Sequence, residues 1–276
     1  MSLDDLPQDR TATREECAHQ EPRRVDLWYV HTEAADVPEL LEEYRSLLPP
    51  DEAGQEHRFV FRKDRVLYLV TRALVRTTLS SYVQCEPRDW VFIRNAYGKP
   101  SVVAPPGFPL QFNLSNTAGL VVCAVAPFRD VGVDVENTRR ERVDLALAGR
   151  YFASMEVAFL QKAPPDRRRE VFYRFWTLKE AYIKARGMGL SIPLDEFAFS
   201  LNENGPPRIR FAPGVPDDPH DWQFGQFQLA AHFQIGLAIR DPSRERLRVR
   251  VIDTIPLRGA GRETMLPHSV DNEWRL

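Results

Sequence analysis

The sequence has few cysteines, and their spacing excludes the usual cysteine-based frameworks. Its three cysteines, Cys17, Cys85 and Cys123, form no CxxC pair and no even set for disulfides. Such usage is typical of a reducing compartment. We therefore expect a cytoplasmic location and no cysteine-rich metal site.

Long apolar runs and excess charge of one sign are also missing. The longest apolar run, from Ala118 to Ala126, contains a glycine and is too short to span a bilayer. The first residues, Met-Ser-Leu-Asp-Asp, carry no apolar signal region. The net charge is only −2, which gives no indication of bulk nucleic-acid binding. We expect neither a membrane anchor nor a nucleic-acid partner.

The composition that is present, 43% hydrophobic and 28% charged over 276 residues, is that of a globular protein with ample core. The order strand, helix, long helix and strand meander occurs from residue 25 to 126, and the same order follows from 131 to about 240. This repeat predicts an α+β fold of two similar lobes, each with helices packed on a mainly antiparallel sheet. The predicted boundaries are a flexible tail at 1–24, an N-terminal lobe at 25–130, a C-terminal lobe at 131–255 and a tail at 256–276.

One predicted helix, ending before Gly187, is apolar on two sides. Its main stripe recurs at steps of three and four, and its members are Val171, Phe175, Leu178, Tyr182 and Ala185. The opposite side carries Phe172, Trp176 and Ile183 beside Glu180 and Lys184. A carboxylate on a helix buried on both sides needs a partner. An ordinary Glu180–Lys184 pair one turn apart and a bound metal ion both satisfy that need.

A second acidic feature is the predicted strand Val131–Glu136. Alternation puts its valines on the core face and places Gly132, Asp134 and Glu136 together on the other. Two carboxylates two residues apart on one face repel unless a positive group lies between them. A hard divalent cation fits such oxygen ligands, and a solvated strand edge is the alternative.

The segment from Glu56 to about Val83, predicted as one long helix or two in tandem, carries a stripe of arginines. The members are Arg58, Arg62, Arg65, Arg72 and Arg76. A solvated helix face explains most of them. Since no balancing acids share the stripe, a ligand that bears phosphate is the other interpretation.

Five short motifs in register resemble the 4′-phosphopantetheinyl transferases of the surfactin-synthetase-activating (Sfp) type, over residues 58 to 199. They are Arg58-Phe59 with Arg62 to Asp64, Tyr97-Gly98-Lys99-Pro100, Phe112-Asn113-Leu114-Ser115, Gly132-Val133-Asp134-Val135-Glu136, and Trp176-Thr177-Leu178-Lys179-Glu180-Ala181 followed by Lys184 and Gly187-Met188-Gly189-Leu190. The family moves phosphopantetheine from coenzyme A to a serine of a carrier protein and releases adenosine 3′,5′-bisphosphate. Its fold has two pseudo-symmetric lobes.

The resemblance implies roles for the acidic residues and for Lys184. Asp134, Glu136 and Glu180 would bind Mg²⁺ at the coenzyme's pyrophosphate, and Asp134, Glu180 and Lys184 form the implied catalytic set. Glu180 matches the position proposed as general base for the carrier serine, with a metal-bound water as the alternative. Lys184 would contact phosphate and stabilise charge on the leaving group.

The resemblance also implies a coenzyme site. Its residues would be Arg62, Tyr97, Gly98, Lys99, Pro100, Ser115, Asn116, Lys179 and Lys184. The turn Tyr97 to Pro100 would frame adenine, and Arg62 would hold the 3′-phosphate. Lys179 would contact phosphate or the carrier. Much of the family has histidine where this chain has Asn116, a side chain that cannot carry charge.

The implied partners are coenzyme A and an apo acyl, peptidyl or aryl carrier domain of fatty acid, polyketide or peptide synthesis. Basic residues that follow the carboxylate strand could steer an acidic carrier, and these are Arg139, Arg140, Arg142 and Arg150. A solubilising loop is the alternative. We expect a monomer. Two rival functions are a non-catalytic module that binds coenzyme A or a carrier, and a metal-dependent phosphohydrolase.

Overall fold

The same order of elements occurs twice in the computed structural model, which describes residues 23–108, 110–127, 130–139, 146–202, 205–265 and 274–275. The first set is β1 (Arg24–His31), α1 (Thr32–Ala35), α2 (Pro38–Ser46), α3 (Pro50–Glu56), α4 (Arg62–Ser80), β2 (Val91–Arg94), β3 (Pro100–Ala104), β4 (Leu110–Thr117) and β5 (Leu120–Pro127). The second set is β6 (Val131–Asn137), α5 (Ala146–Tyr151), α6 (Ser154–Lys162), α7 (Arg168–Arg186), β7 (Phe197–Asn202), β8 (Gly205–Phe211), β9 (Trp222–Leu229) and β10 (Phe233–Arg240). The final strands are β11 (Arg248–Ile255), β12 (Gly259–Met265) and β13 (Trp274–Arg275).

The two sets have matching sheet topologies. In the first, β1 pairs with β5 and β5 with β4, all antiparallel. In the second, β6 pairs with β10 and β10 with β9 in the same way. Each set also has a separate hairpin, β2–β3 or β7–β8, and one long helix, α4 or α7. The predicted α+β fold of two similar lobes is therefore confirmed.

The lobe boundaries differ from the predicted ones at the C-terminal end. Strand β11 pairs in parallel with β1, so it belongs to the sheet of the N-terminal lobe. Strand β12 pairs with β11, which makes Gly259–Met265 part of that sheet and not a loose tail. A strand's alternation shows which face is buried but not which strand it joins. Residues 1–22 of the predicted N-terminal tail and residues 266–273 and 276 lie outside the described residues.

The long helix predicted from Glu56 begins only at Arg62 in the structure, and a second helix, predicted from Asp144 to Gln161, is divided in two. Residues 57–61 separate α3 from α4, and residues 152–153 separate α5 from α6. The predicted starting residue of the second helix, Asp144, lies outside the described residues. Pro50 occupies the first turn of α3, where its missing N–H costs no hydrogen bond. No helix in the described part of the chain is long and apolar enough to cross a membrane.

Helix α7 lies directly on the sheet of the C-terminal lobe because two strand residues have no side chain. A Cβ on Gly132 of β6 would lie 2.0 Å from the carbonyl oxygen of Ala181, and one on Gly236 of β10 would lie 2.4 Å from that of Thr177. Such distances are impossible for any other residue. The helix ends at Gly187, which has φ +64° in the left-handed region. These contacts fix the height of α7 above β6.

Candidate active site

The two lobes meet where the edge strand β4 of one sheet lies beside the edge strand β6 of the other. Side chains of β4 supply acceptors that a neighbouring strand would normally provide. The N–H of Val133 donates to Asn113 Oδ1 at 2.9 Å, and the N–H of Val135 donates to Ser115 Oγ at 3.2 Å. The junction is thus held by hydrogen bonds, and it places Ser115 beside Asp134.

A buried polar cluster occupies this junction. Ser115 Oγ donates to Asp134 Oδ1 at 2.9 Å. Lys184 Nζ, reaching from α7, donates to the same oxygen at 2.7 Å, to Ser115 Oγ at 2.9 Å and to the carbonyl of Val133 at 3.2 Å. All three ammonium protons of Lys184 are therefore used. The structure brings together Asp134, Ser115 and Lys184, three residues from separate motifs.

Asp134 has one oxygen in this cluster and one that is orphaned. Its side chain is 8% exposed. Oδ2 is buried and has no hydrogen-bond partner among the described residues. A buried acceptor without a partner costs free energy, so this oxygen is a candidate ligand atom. The predicted alternation of β6 agrees with burial, since Val131, Val133 and Val135 all pack in the core between the two sheets.

Glu180 lies one turn before Lys184 on α7 and is partly buried. Burial raises the pKa of Glu180, the negative charge of Asp134 raises that pKa further, and Lys184 opposes the rise. A raised pKa makes Glu180 a stronger base than an exposed glutamate.

Glu136, the third predicted ligand, is partly buried two residues after Asp134. Among the residues that the structure describes, no three His, Cys, Asp or Glu side chains converge into a metal-ligating group. The three-carboxylate arrangement therefore stays a prediction. Strand alternation places Asp134 and Glu136 on the face that Gly132 presents to α7.

Lys179 does not reach the junction. It is 1% exposed and lies inside the C-terminal lobe, where Nζ pairs with Glu156 at 2.8 Å and donates to the carbonyls of Leu194 and Phe197 at 2.7 Å each. Every ammonium proton is thus used far from solvent. The predicted contact of Lys179 with phosphate or carrier is wrong, since the side chain joins α7 to α6, to the segment before β7 and to the first residue of β7.

The arginines of α4 are also different from the prediction. Arg76 is buried, pairs with Glu52 at 2.9 Å and donates to the carbonyls of Pro87 and Trp90. Arg72 lies 3.8 Å from the same Glu52. No acid of the stripe balances these arginines, but Glu52 of α3 does, so neither a solvated face nor a phosphate ligand is needed to explain them. These two arginines hold α3 and the loop after α4 in place.

Arg62 stays at the surface, 65% exposed, at the start of α4. Both terminal nitrogens donate to the carboxylate of Asp36, each at 2.6 Å. A phosphate that used Arg62 would compete with Asp36.

Ser115 and Asn116 lie on opposite faces of β4. Ser115 faces the junction, whereas Asn116 is exposed and its Nδ2 lies 3.4 Å from Thr71 Oγ1 of α4. Alternation along the strand requires this separation. The structure therefore unites Ser115, but not Asn116, with the Lys184 cluster.

The turn from Tyr97 to Pro100 joins β2 and β3 and touches the end of α7. Lys99 Nζ donates to the carbonyl of Ala185 at 2.7 Å, and Tyr97 is 55% exposed. Burial lowers the pKa of Lys99, and Asp130 opposes this shift. Gly98 has φ +89°, a conformation that glycine adopts without strain.

Asn95, which the sequence interpretation did not single out, makes the most contacts of this turn. Its Oδ1 accepts from the N–H groups of Tyr97 at 2.9 Å and Lys99 at 3.0 Å, and its Nδ2 donates to the carbonyl of Gly187 at 2.7 Å. An asparagine just before a Gly-containing turn is the sequence signal that could have found it.

Comparisons with known proteins identify the family of the chain. A family described as the 4′-phosphopantetheinyl transferase superfamily matches residues 130–238, and one described as 4′-phosphopantetheinyl transferase, N-terminal, matches residues 37–128. The chain is 34% identical over 204 residues to the 4′-phosphopantetheinyl transferase HetI of Nostoc sp., covering 70% of this chain and 84% of HetI. It is 33% identical over 202 residues to the transferase Sfp of Bacillus subtilis, covering 73% of this chain and 86% of Sfp.

A solved structure, the holo-[acyl-carrier-protein] synthase of Thermotoga maritima, is 21% identical and superimposes with a TM-score of 0.34 over 53% of this chain and 98% of that one. HetI and Sfp show the family, because each is more than 30% identical to this chain and more than two thirds of its length is matched. The motifs at the lobe junction lie within the matched residues. The chain therefore belongs to the 4′-phosphopantetheinyl transferase family, of the Sfp type.

Proposed function

We propose that this chain transfers the 4′-phosphopantetheine group of coenzyme A to a serine of an apo carrier protein and releases adenosine 3′,5′-bisphosphate. The observation that carries the proposal is the buried contact of Lys184 with Asp134 and Ser115 at the lobe junction, with Glu180 one helical turn away. This puts a cation beside a buried carboxylate that keeps one orphaned oxygen, with a second, desolvated carboxylate one turn along α7. Family membership supplies the reaction class.

The residues fit a hard divalent cation. Asp134 Oδ2 is buried without a partner among the described residues. Glu180 is a desolvated carboxylate whose pKa is raised further by the charge of Asp134. Such oxygen donors suit Mg²⁺. Asp134, Glu136 and Glu180 would hold it. When bound, the ion would neutralise charge on the pyrophosphate and polarise the phosphoryl group.

The carrier serine has to lose its proton as its oxygen bonds to phosphorus. Glu180 is the proposed acceptor: burial strengthens it as a base before Mg²⁺ binds, whereas a bound ion leaves it a modest base. A water molecule activated in the same place is the alternative. The bond from phosphorus to adenosine 3′,5′-bisphosphate breaks in the same displacement, and the leaving group takes the electron pair.

Lys184 is placed to stabilise the charge that develops on the leaving phosphate. Its ammonium group is already held by three acceptors, so it exchanges one of these bonds for a phosphate oxygen. Asp134 and Ser115 hold it in position before the substrate arrives. Prepositioned charges of this kind are a large part of phosphoryl-transfer catalysis.

The N-terminal lobe is the proposed coenzyme-binding lobe. The turn of Tyr97, Gly98, Lys99 and Pro100 would frame adenine. Ser115 would hold phosphate, Arg62 would hold the 3′-phosphate after exchange with Asp36, and Asn116 would contribute a neutral amide. The C-terminal lobe supplies the metal and catalytic residues.

The proposed macromolecular partner is a carrier domain that is acidic around its serine. Arg139 and Arg150 are exposed near β6 and α5 and could attract it, whereas Arg140 and Arg142 lie outside the described residues. We expect the enzyme to be monomeric and cytoplasmic.

The test is to incubate the protein with an apo carrier, coenzyme A and Mg²⁺ and to measure the intact mass of the carrier. A mass increase equal to one phosphopantetheine group supports transfer. Consumption of coenzyme A without carrier modification would indicate a phosphohydrolase. Binding without either change would indicate a non-catalytic module, and both results would overturn the proposal.

A further inference from the structure

Asn95 stands at the base of the turn between β2 and β3 and closes it into a ring of hydrogen bonds. Its backbone N–H donates to the carbonyl of Lys99 and its carbonyl accepts from Gly98, each at 3.0 Å. Its side-chain Oδ1 accepts from Tyr97 and Lys99 on the inside of the same turn. The conformation of the turn therefore depends on one side-chain oxygen.

The other end of the Asn95 amide reaches the opposite lobe. Its Nδ2 donates to the carbonyl of Gly187 at 2.7 Å, just beyond the last residue of α7. Lys99 donates to Ala185 beside it. The last carbonyls of a helix have no partner within the helix, so the turn satisfies the end of α7.

The close packing of the turn against the helix end leaves no room for a side chain at Gly187. A Cβ there would lie 2.7 Å from Lys99 Cδ and 3.3 Å from Asn95 Nδ2. The residue after the helix therefore has to be small as well as left-handed. A Cβ on Gly189 would lie 3.5 Å from Tyr97 Cβ, so the chain beyond the helix follows the same turn closely.

We infer that Asn95 is a positioning residue that docks the Tyr97–Pro100 turn onto the end of the helix carrying Glu180 and Lys184. The inference rests on the proposed function, in which this turn holds the coenzyme's base. Lys184 lies three residues before Gly187, so a turn fixed to that helix end also fixes the distance from base site to phosphate site. Asn95 touches no reacting atom in this account.

The variants separate the two ends of the amide. Asn95→Ala removes the bonds to the turn and to α7. Asn95→Asp keeps an oxygen that can accept from Tyr97 and Lys99 but loses the donor to Gly187. Gln228→Ala is the matched control, because Gln228 Nε2 braces the β9–β10 turn by donating to Ala231 and lies outside the proposed site.

Docking predicts a rise in the KM for coenzyme A of about tenfold for both Asn95 variants, as expected from one or two lost hydrogen bonds. The KM for the carrier should change less than about twofold. Calorimetric titration with adenosine 3′,5′-bisphosphate, which needs no carrier, should show the same weakening. Gln228→Ala should match the wild type in all three measurements.

Combining Asn95→Ala with Lys99→Ala tests the shared contact. Because both side chains hold the same helix end, the double variant should lose less than the product of the two single losses. If the loss of affinity in the double variant equals the product of the two single losses, Asn95 and Lys99 act independently, and the docking role of Asn95 is overturned. Asn95→Asp equal to wild type in nucleotide affinity would also overturn it, since only the internal turn bonds would then matter.

These outcomes are distinct from failure of the proposed function. If the wild type modifies no carrier, the proposed function fails whatever Asn95 does. If the wild type modifies the carrier and Asn95→Ala keeps the wild-type KM for coenzyme A, only the docking inference fails. Melting temperatures measured beside each titration show whether a variant is folded. If Asn95→Ala is unfolded, the KM for coenzyme A and the nucleotide affinity of Asn95→Asp decide whether the docking inference holds.

Discussion

Lys184 Nζ lies 2.7 Å from Asp134 Oδ1, while the other oxygen of that carboxylate is buried with no partner among the described residues. The two residues come from different elements, α7 and β6. They meet because Gly132 lets the helix lie against the strand. One oxygen is thus neutralised by the chain itself and the other is left for a ligand.

Lys184→Met tests the protein half of this relationship. The variant keeps length but loses the ammonium group, so we expect transfer to fall by about 100-fold or more, as for other lost charge-stabilising groups. The unpaired Asp134 should also lower the free energy of unfolding by about 1–3 kcal/mol. Urea unfolding and carrier modification measure the two effects. Lys162→Met, an exposed lysine at the end of α6, is the control, and equal losses in both variants would contradict the account.

Mg²⁺ binding can be followed without turnover. Starting from metal-free protein, saturating Mg²⁺ should raise the wild-type Tm by roughly 5 °C at 100 times its Kd. Asp134→Asn and Glu180→Gln should lose most of that shift because each removes a ligand charge. Glu196→Gln, an exposed carboxylate, should keep it. A shift of equal size in all four proteins would place the ion elsewhere.

Arg62 and Asp36 give a paired prediction on the coenzyme. Arg62→Ala should raise the KM for coenzyme A about tenfold but hardly change that for dephospho-coenzyme A, which lacks the 3′-phosphate. Asp36→Asn removes the competitor of that phosphate, so it should lower the KM for coenzyme A by about two- to fivefold, in keeping with a weak exposed pair. Steady-state kinetics with both donors is the measurement. Identical effects on the two donors would reject the 3′-phosphate assignment.

The burial of Lys99 should make the free energy of unfolding depend on pH. Burial lowers its pKa in the folded chain below the unfolded value of about 10.4. Between these values the unfolded chain binds more protons, so the free energy of unfolding rises with pH in that window. The wild type should therefore gain stability relative to Lys99→Met as pH increases toward about 10.4, and the difference should be smallest well below the folded pKa.

Urea unfolding of both proteins at several pH values between 7 and 10 gives this difference. Lys162→Met reports the pH effect of an exposed lysine and is subtracted. A difference between wild type and Lys99→Met that falls with rising pH would show that Lys99 is not desolvated by the contact with α7.

Local patterns in the sequence were sufficient for the repeated order of strand, helix, long helix and strand meander and for the partial burial of Glu180, but not for α3, β3 or β12. They failed where the partner lay far along the chain. Lys179 follows Phe175 by four residues, which places it on the apolar stripe, yet its partner Glu156 belongs to another helix. The assignment of β11 to the first lobe depends on its pairing with β1. Periodicity predicts neither contact, because it shows which face of an element is buried but not which other element packs against that face.

The central claim is that the junction of β6 and α7 performs the transfer, and intact-mass measurement of carrier modification over time tests it most directly. With coenzyme A and saturating Mg²⁺, the account predicts conversion by the wild type and by Glu196→Gln at equal rates. It predicts that Asp134→Ala, Glu136→Ala and Glu180→Ala each abolish or strongly depress conversion. Wild-type rates in any two of these three variants would contradict the site.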